Sequence, residues 1–259
     1  MWKGEKKVNA FSSAKYENGL LVWKINRPEK RNAINYEVMD GLELMLNEAE
    51  RDSSIKAVAI TGEGDRAFCS GGDVVQFHRL KTEKQAYAML SRMGNLLYRL
   101  TVLPKPTVAV MNGLALGGGC ELAAACDMRI AKAGTNAGFI QANLAITTGW
   151  GGASLLYEKL DPSRAIQILT EAQVLSVQEL KSFGFINEIY EGDPLKALEK
   201  FMKDILSKEA GVLKSYKESL IGKFYASNLK QRMEQEIRRC AVLWAKDEHH
   251  QVVSSFLKR

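Results

Sequence analysis

Residues 111–127 read MNGLALGGGCELAAACD, and their order of residue types decides both the fold class and where chemistry is to be sought. The apolar run leading into them, TVAVMN (107–112), has the composition of a buried strand. Gly117, Gly118 and Gly119 then free the backbone of side chains, so an N–H there can reach a ligand that a Cβ would block. Cys120, Glu121 and Leu122 begin a helix. A helix N-terminus gathers unpaired N–H groups and about half a positive charge. Such a place holds an anion or a developing oxyanion. Glu121, in the first turn, is the one ionisable group in an apolar setting.

A second bare stretch lies upstream, RAFCSGGDV (66–74), soon after the strand-like KAVAIT (56–61). Two glycine loops, each following a β-run, suggest two N–H donors aimed at one oxygen, as stabilisation of an enolate or tetrahedral oxyanion requires. Around them, LLVWKIN (20–26) reads as a strand, and 36–51 and 85–100 carry apolar residues at helical spacing. Strands alternating with helices predict an α/β fold with parallel βαβ units. From Pro162 onward the pattern is helical, over 162–171, 176–182, 195–207 and about 226–257 with a break, interrupted by one strand at 184–189. The expected division is an α/β core over 1–190 and a helical region over 191–259.

Composition excludes several classes. The 259 residues contain no apolar run long enough to span a bilayer, and the basic N-terminus lacks the apolar segment of a secretory signal. A cytoplasmic protein is expected. Cys69, Cys120, Cys126 and Cys240 have no metal-ligand spacing and read as reduced core residues; no metal site is expected. His249 and His250 are adjacent, so they cannot share a helix face to bind one. The formal charge of +6 serves solubility and also suits a polyanionic ligand. No dense basic tract with interleaved aromatics points to nucleic acid.

The chain resembles the enoyl-CoA hydratase/isomerase (crotonase) superfamily. The resemblance rests on NRPEKRNAIN (26–35), RAFCSGGDV (66–74), PKPTVAVMNGLALGGGCELAAACD (104–127), the Gly-Trp-Gly-Gly block (149–152), SFGFINEI (182–189) and FLKR (256–259), in order and nearly end to end. It implies a ClpP-like spiral core of repeated ββα units with a helical C-terminal region. It also implies an acyl-CoA substrate and a homotrimer or dimer of trimers, with no separate cofactor because coenzyme A is part of the substrate. Matched to the family's motifs, Gly72 and Gly118 are the oxyanion donors, and Glu121 holds the place of one of two catalytic glutamates. Lys30, Asn32, Ala33 and Ile34 match the turn bordering the adenine and pantetheine. Ser70, Asp73, Trp150, Lys217 and Lys258 fall where the substrate passes. Asp73 also reads as a cap of the helix that follows it.

The departure from the pattern carries more information than the match. Hydratases of this family place a second glutamate twenty residues after the first, ahead of a Gly-Gly block. Here AGFIQANLAITTGWGG puts Gln141 there, and the other counting puts Asn143. An amide orients a water or a carboxylate but shuttles no proton. Decarboxylation of a 2-carboxyacyl-CoA needs the oxyanion hole and not that base, since loss of carbon dioxide itself generates the enolate. The sequence also resembles the methylmalonyl-/ethylmalonyl-CoA decarboxylase-like branch, and this lyase reading is favoured slightly over hydration or isomerisation. The competing reading of another class is a non-catalytic acyl-CoA- or RNA-binding homologue. Trp150 either walls the acyl pocket or packs beneath its loop. His78 either faces the acyl group or lies on the helix surface.

Overall fold

The computed structural model of the protein describes residues 2–8 and 10–257; Lys258 and Arg259 lie outside the described residues. The sequence's alternation of strands and helices builds two sheets. The larger has seven strands in the order β1 (Trp2–Val8), β2 (Phe11–Tyr16), β3 (Leu20–Ile25), β4 (Ala57–Gly62), β6 (Thr107–Met111), β8 (Met128–Lys132) and β11 (Glu188–Tyr190). The smaller has four, in the order β10 (Leu175–Ser176), β9 (Asn136–Gly138), β7 (Leu114–Leu116) and β5 (Ala67–Cys69). From β3 to β11 the larger sheet is parallel, as are β5, β7 and β9; the β1–β2–β3 and β9–β10 pairings are antiparallel.

The chain climbs in steps. It lays β4, then β6, then β8 in the larger sheet, and crosses each time to β5, β7 or β9 in the smaller. A helix returns it: α2 (Val74–Phe77) and α3 (Glu83–Thr101) after β5, and α4 (Gly118–Ala125) after β7. This is the spiral of ββα units that the motifs implied. The crossings into the smaller sheet set the two glycine loops side by side.

The strands of the larger sheet are buried on both faces. Leu21, Trp23 and Ile25 point into the main core, while Leu20 and Val22 pack with Val108, Val110 and Ile130 on the opposite face. That is why these strands read as continuous apolar runs. The opposite face is covered by Leu198, Met202 and Leu206 of α8 (Pro194–Leu206). The main core takes α1 (Tyr36–Arg51), whose Val38, Leu42, Met45 and Leu46 are buried and whose N-terminus is capped by the Asn35 side chain on the Val38 N–H. Thr82 and Gln85 form a capping box that starts α3.

Past β9, a 3₁₀ turn (Gln141–Leu144) leads to α5 (Gly152–Tyr157), α6 (Pro162–Glu171) and α7 (Val177–Ser182). The C-terminal region continues through α9 (Ala210–Ala226), α10 (Leu229–Trp244) and α11 (Asp247–Leu257). Met233, Ile237, Cys240 and Ala241 of α10 belong to the main core. α10 lies so close to α3 that a Cβ on Gly94 would meet Ile237 Cδ1 at 2.4 Å. The helical region therefore packs on the α/β core of its own chain.

Several elements differ from the reading of the sequence, β11, α9 and the β1–β2 hairpin among them. Strand β11 begins at Glu188, because Phe185 and Ile186 are buried in the preceding turn and not in the sheet. Helix α9 carries no helical signature in the sequence because its apolar residues follow no single stripe: Val212, Tyr216 and Tyr225 are exposed while Ile221 and Phe224 are buried. The β1–β2 hairpin likewise leaves no strand signature, since its basic, polar residues carry no apolar alternation.

Candidate active site

The two glycine loops meet backbone to backbone. Gly71 has φ +97°, and a Cβ on it would lie 3.1 Å from Leu116 O and 3.2 Å from Gly118 N. A Cβ on Gly119 would reach 2.0 Å from Cys69 O, which no side chain permits. Gly117 adopts φ 52° and ψ −115°, a conformation reserved to glycine, and so turns the chain from β7 into α4. Among the described residues, neither the Gly72 nor the Gly118 N–H donates to a protein acceptor. Two adjacent unspent N–H groups bordering one cavity are the minimum an oxyanion hole needs.

The first loop is fastened by the segment before α1. Ile34 N–H donates to Gly71 O at 2.8 Å, and Ile34 O accepts from Asp73 N–H at 2.8 Å. Asn32 is wholly buried; its Nδ2 donates to Ala67 O at 2.7 Å and to Glu63 O at 3.0 Å. Arg27 donates to Ala33 O at 2.7 Å and pairs with Asp73 at 2.8 Å. Asp73 also accepts from Gln76 N–H, capping α2.

Glu121 is 2 % exposed and surrounded by donors. Its Oε1 accepts from Gln141 Nε2 at 2.8 Å and Gly149 N–H at 3.3 Å; its Oε2 accepts from Trp150 N–H at 2.9 Å and Gly152 N–H at 2.8 Å. Burial pushes the carboxyl up to about 7, with the charge of Glu236 adding to the rise and the N–H donors opposing it. Gln141, on the 3₁₀ turn, spends Nε2 on this contact, and its buried Oε1 has no partner among the described residues. The amide sits beside Gly117, where a Cβ would be 3.8 Å from Gln141 Cδ.

Trp150 is 4 % exposed and closes the site on the side of both glycines. A Cβ on Gly118 would meet its ring at 2.0 Å, and one on Gly72 at 3.5 Å. The ring thus walls the cavity and packs against its loop at once. The cavity measures about 120 Å³ and is lined by Gly72, Gly118, Glu121, Gln141 and Trp150 and by apolar side chains that include Met89, Leu144 and Val253.

This geometry can be compared with known proteins. The family model for enoyl-CoA hydratase/isomerase matches residues 15–259. The chain belongs to the enoyl-CoA hydratase/isomerase family. Within it, a short-chain-enoyl-CoA hydratase from Clostridium acetobutylicum is 35% identical over 181 residues, 69% of this chain and 68% of that protein. An ethylmalonyl-CoA decarboxylase from Xenopus tropicalis is 28% identical over 228 residues, 87% of this chain and 74% of the other. The crystal structure of an enoyl-CoA hydratase/isomerase from Xanthobacter autotrophicus Py2 shares the fold, with a TM-score of 0.88 and 23% identity, covering 97% of this chain and 94% of that one.

Set against the family's motifs, the remaining residues divide. Ser70 is half-buried and lines the cavity. Lys30 is exposed on the turn Pro28–Lys30, beside a surface groove shared with Asp73. Ala33 and Ile34 are buried; the Ile34 backbone bonds the glycine loop, while the Ala33 carbonyl accepts from Arg27. Lys217 is 4 % exposed and paired with Asp127, away from the cavity lining. Lys258 lies outside the described residues. The four cysteines are buried and unpaired, and burial pushes the Cys69 thiol up to about 12. Among the described residues, no cluster of metal-ligating side chains exists and no helix is long and apolar enough to cross a membrane.

Two groups escaped the sequence. His249 of α11 is 3 % exposed and lines the cavity; its Nδ1 lies 2.7 Å from Leu144 O, so that nitrogen carries the proton and Nε2 carries the lone pair. Burial lowers its proton affinity, so the ring is neutral. His78 lines the same cavity with Nδ1 on Val74 O. The other group is Glu236 of α10, buried at 4 % exposure. It sits in an ordinary amphipathic helix, and nothing in its spacing separates it from a surface glutamate.

Proposed function

We propose that this member of the family decarboxylates a 2-carboxyacyl-CoA. One observation carries the reading. The carboxylate at the reacting end of the cavity accepts four N–H bonds, and its partner twenty residues on is an amide. Addition of water needs a base with a free lone pair at that place; loss of carbon dioxide does not. The thioester oxygen accepts from the Gly72 and Gly118 N–H groups. The bond between the α-carbon and the carboxylate breaks, carbon dioxide leaves, and the electron pair passes into the enolate whose oxygen those N–H groups hold. The α-carbon then takes one proton from water. Gln141, neutral and fixed by Glu121, offers its second Nε2 hydrogen to the leaving carboxylate without repelling it. The likeness to a decarboxylase over 87% of the chain supports this.

Hydration of an enoyl-CoA is the second reading. It is favoured by His249, whose neutral Nε2 is a base on the cavity wall, and by the likeness to a short-chain hydratase. Incubating the protein separately with crotonyl-CoA and with methyl- or ethylmalonyl-CoA, followed by mass spectrometry, decides. Loss of the mass of carbon dioxide from the malonyl substrates is expected. Gain of the mass of water by crotonyl-CoA alone overturns the first reading, and binding without product overturns both. A homotrimer or pair of trimers is part of the proposal, supported by exposed Val212, Tyr216 and Tyr225 on α9 and tested by light scattering.

A further inference from the structure

The loop 148–154 is strapped from two sides by buried carboxyls. Glu121 of α4 takes the N–H groups of Gly149, Trp150 and Gly152. Glu236 of α10 takes the Thr148 hydroxyl, Ala153 N–H at 3.0 Å, Ser154 N–H at 2.8 Å and the Ser154 hydroxyl at 2.7 Å. Among the described residues, neither carboxyl has a cationic partner. The titratable groups that face them are each other and the thiols of Cys120 and Cys240, which burial keeps protonated. Two uncompensated negative charges on one buried loop are costly, and one proton relieves the cost.

The partners decide where that proton sits. All four partners of Glu121 are N–H groups, which donate and cannot accept. Two partners of Glu236 are hydroxyls, which turn to accept. A proton on Glu236 finds Thr148 Oγ1 or Ser154 Oγ, whereas a proton on Glu121 points at N–H hydrogens. A flipped Gln141 amide could accept from Glu121, but it would strand both Nε2 hydrogens, and orphaned buried N–H groups are the rarer defect.

We propose that Glu236 is a positioning residue of the site: it fastens the 148–154 loop from the C-terminal helix and holds the one proton of a buried carboxyl pair, leaving Glu121 a carboxylate. As a carboxylate, Glu121 keeps Gln141 Nε2 turned toward itself, so the amide presents one constant face to the ligand. Trp150, the wall of the oxyanion glycines, is held on the same loop. Helix α10 thereby sets the geometry of a hole built on the α/β core. The proposal rests on reading the cavity as an acyl-CoA enolate site.

The test is a carbon-13 NMR titration of the side-chain carboxyls in the full chain labelled at glutamate. The two resonances are assigned by their loss in Glu236→Gln and Glu121→Gln, and either variant alone suffices if the other does not fold. At neutral pH the Glu236 carboxyl of the parent is expected at its protonated shift and that of Glu121 at its ionised shift. Glu121 taking the first proton overturns the proposal, as does finding both ionised at neutral pH. The readout needs no turnover. A protein inert toward every acyl-CoA defeats the proposed function and leaves the proton placement to stand or fall on its own.

Discussion

The two halves of the cavity are built from different materials. The half proposed to hold the oxyanion is backbone: Gly72 and Gly118 N–H groups on loops so tightly abutted that Gly119 has no room for a Cβ. The half proposed to take the acyl group is side chain: Leu144, Ile146 and Met89 from the core, and Trp244, His249 and Val253 from α10 and α11. Backbone donors locked by neighbouring backbone cannot drift, and preorganised donors stabilise a developing charge without reorganisation. Side chains brought in by a helical layer can change shape without disturbing them. On the proposed function, the fold separates the chemistry from the choice of acyl group.

The largest effect is expected where backbone geometry is broken. Gly118→Ala puts a Cβ 2.0 Å from the Trp150 ring, so the ring or the loop shifts and the donor is lost. Turnover falls by at least about 10²–10³-fold. Steady-state rates on a malonyl-type thioester check this, and an active alanine variant would show that the Gly118 N–H is not the donor.

A smaller loss follows from changing a side chain that orders the backbone. Glu121→Gln leaves one of the Trp150 and Gly152 N–H groups facing an amide nitrogen, which costs about 1–3 kcal/mol of stability. Turnover drops strongly while affinity for the CoA moiety stays near that of the parent. Urea denaturation and calorimetric titration with a CoA thioester measure the two. Loss of stability with full turnover would remove Glu121 from the chemistry.

The buried carboxyl pair gives stability a pH dependence. Burial raises both Glu121 and Glu236 above the ordinary 4.5, so the native state binds more protons than the unfolded one once the unfolded carboxyls ionise. Stability contributed by the pair's proton is complete below about pH 4.5 and is lost as the pH rises through the raised range of the pair. Denaturant midpoints taken from there upward should decline for the parent and decline less for Glu236→Gln. Equal slopes would place the effect elsewhere.

The smallest change belongs to the acyl half. Val253→Ala on α11 enlarges the apolar part of the cavity. It should shift the kcat/KM ratio toward a longer acyl group by about tenfold, with kcat on the preferred chain little altered. A fall in kcat without change in preference would mean that the two halves are not separable.

Much of the α/β architecture was legible in the residues themselves. The continuous apolar runs of β4 and β6 announce strands buried on both faces, and α1 and α3 show their stripes at helical spacing. The glycine blocks at 71–72 and 117–119 announce close backbone approach: Gly118 and Gly119 leave no room for a Cβ, and Gly71 and Gly117 adopt positive φ. Replacement of the second family glutamate by Gln141 was equally plain. These features are local, fixed by sterics and periodicity over a few residues. What tertiary structure alone decided is how the distant pieces share one site. Asn32 and Ile34 fasten the first loop from within, and Lys217 turns inward to Asp127. His249 arrives from α11 to line the cavity, and Glu236 arrives from α10 to hold the loop of Trp150. A glutamate in an amphipathic helix looks the same in sequence whether water or a buried loop receives it. Only packing of the last helices against the core removes the water and commits its oxygens to Thr148, Ala153 and Ser154.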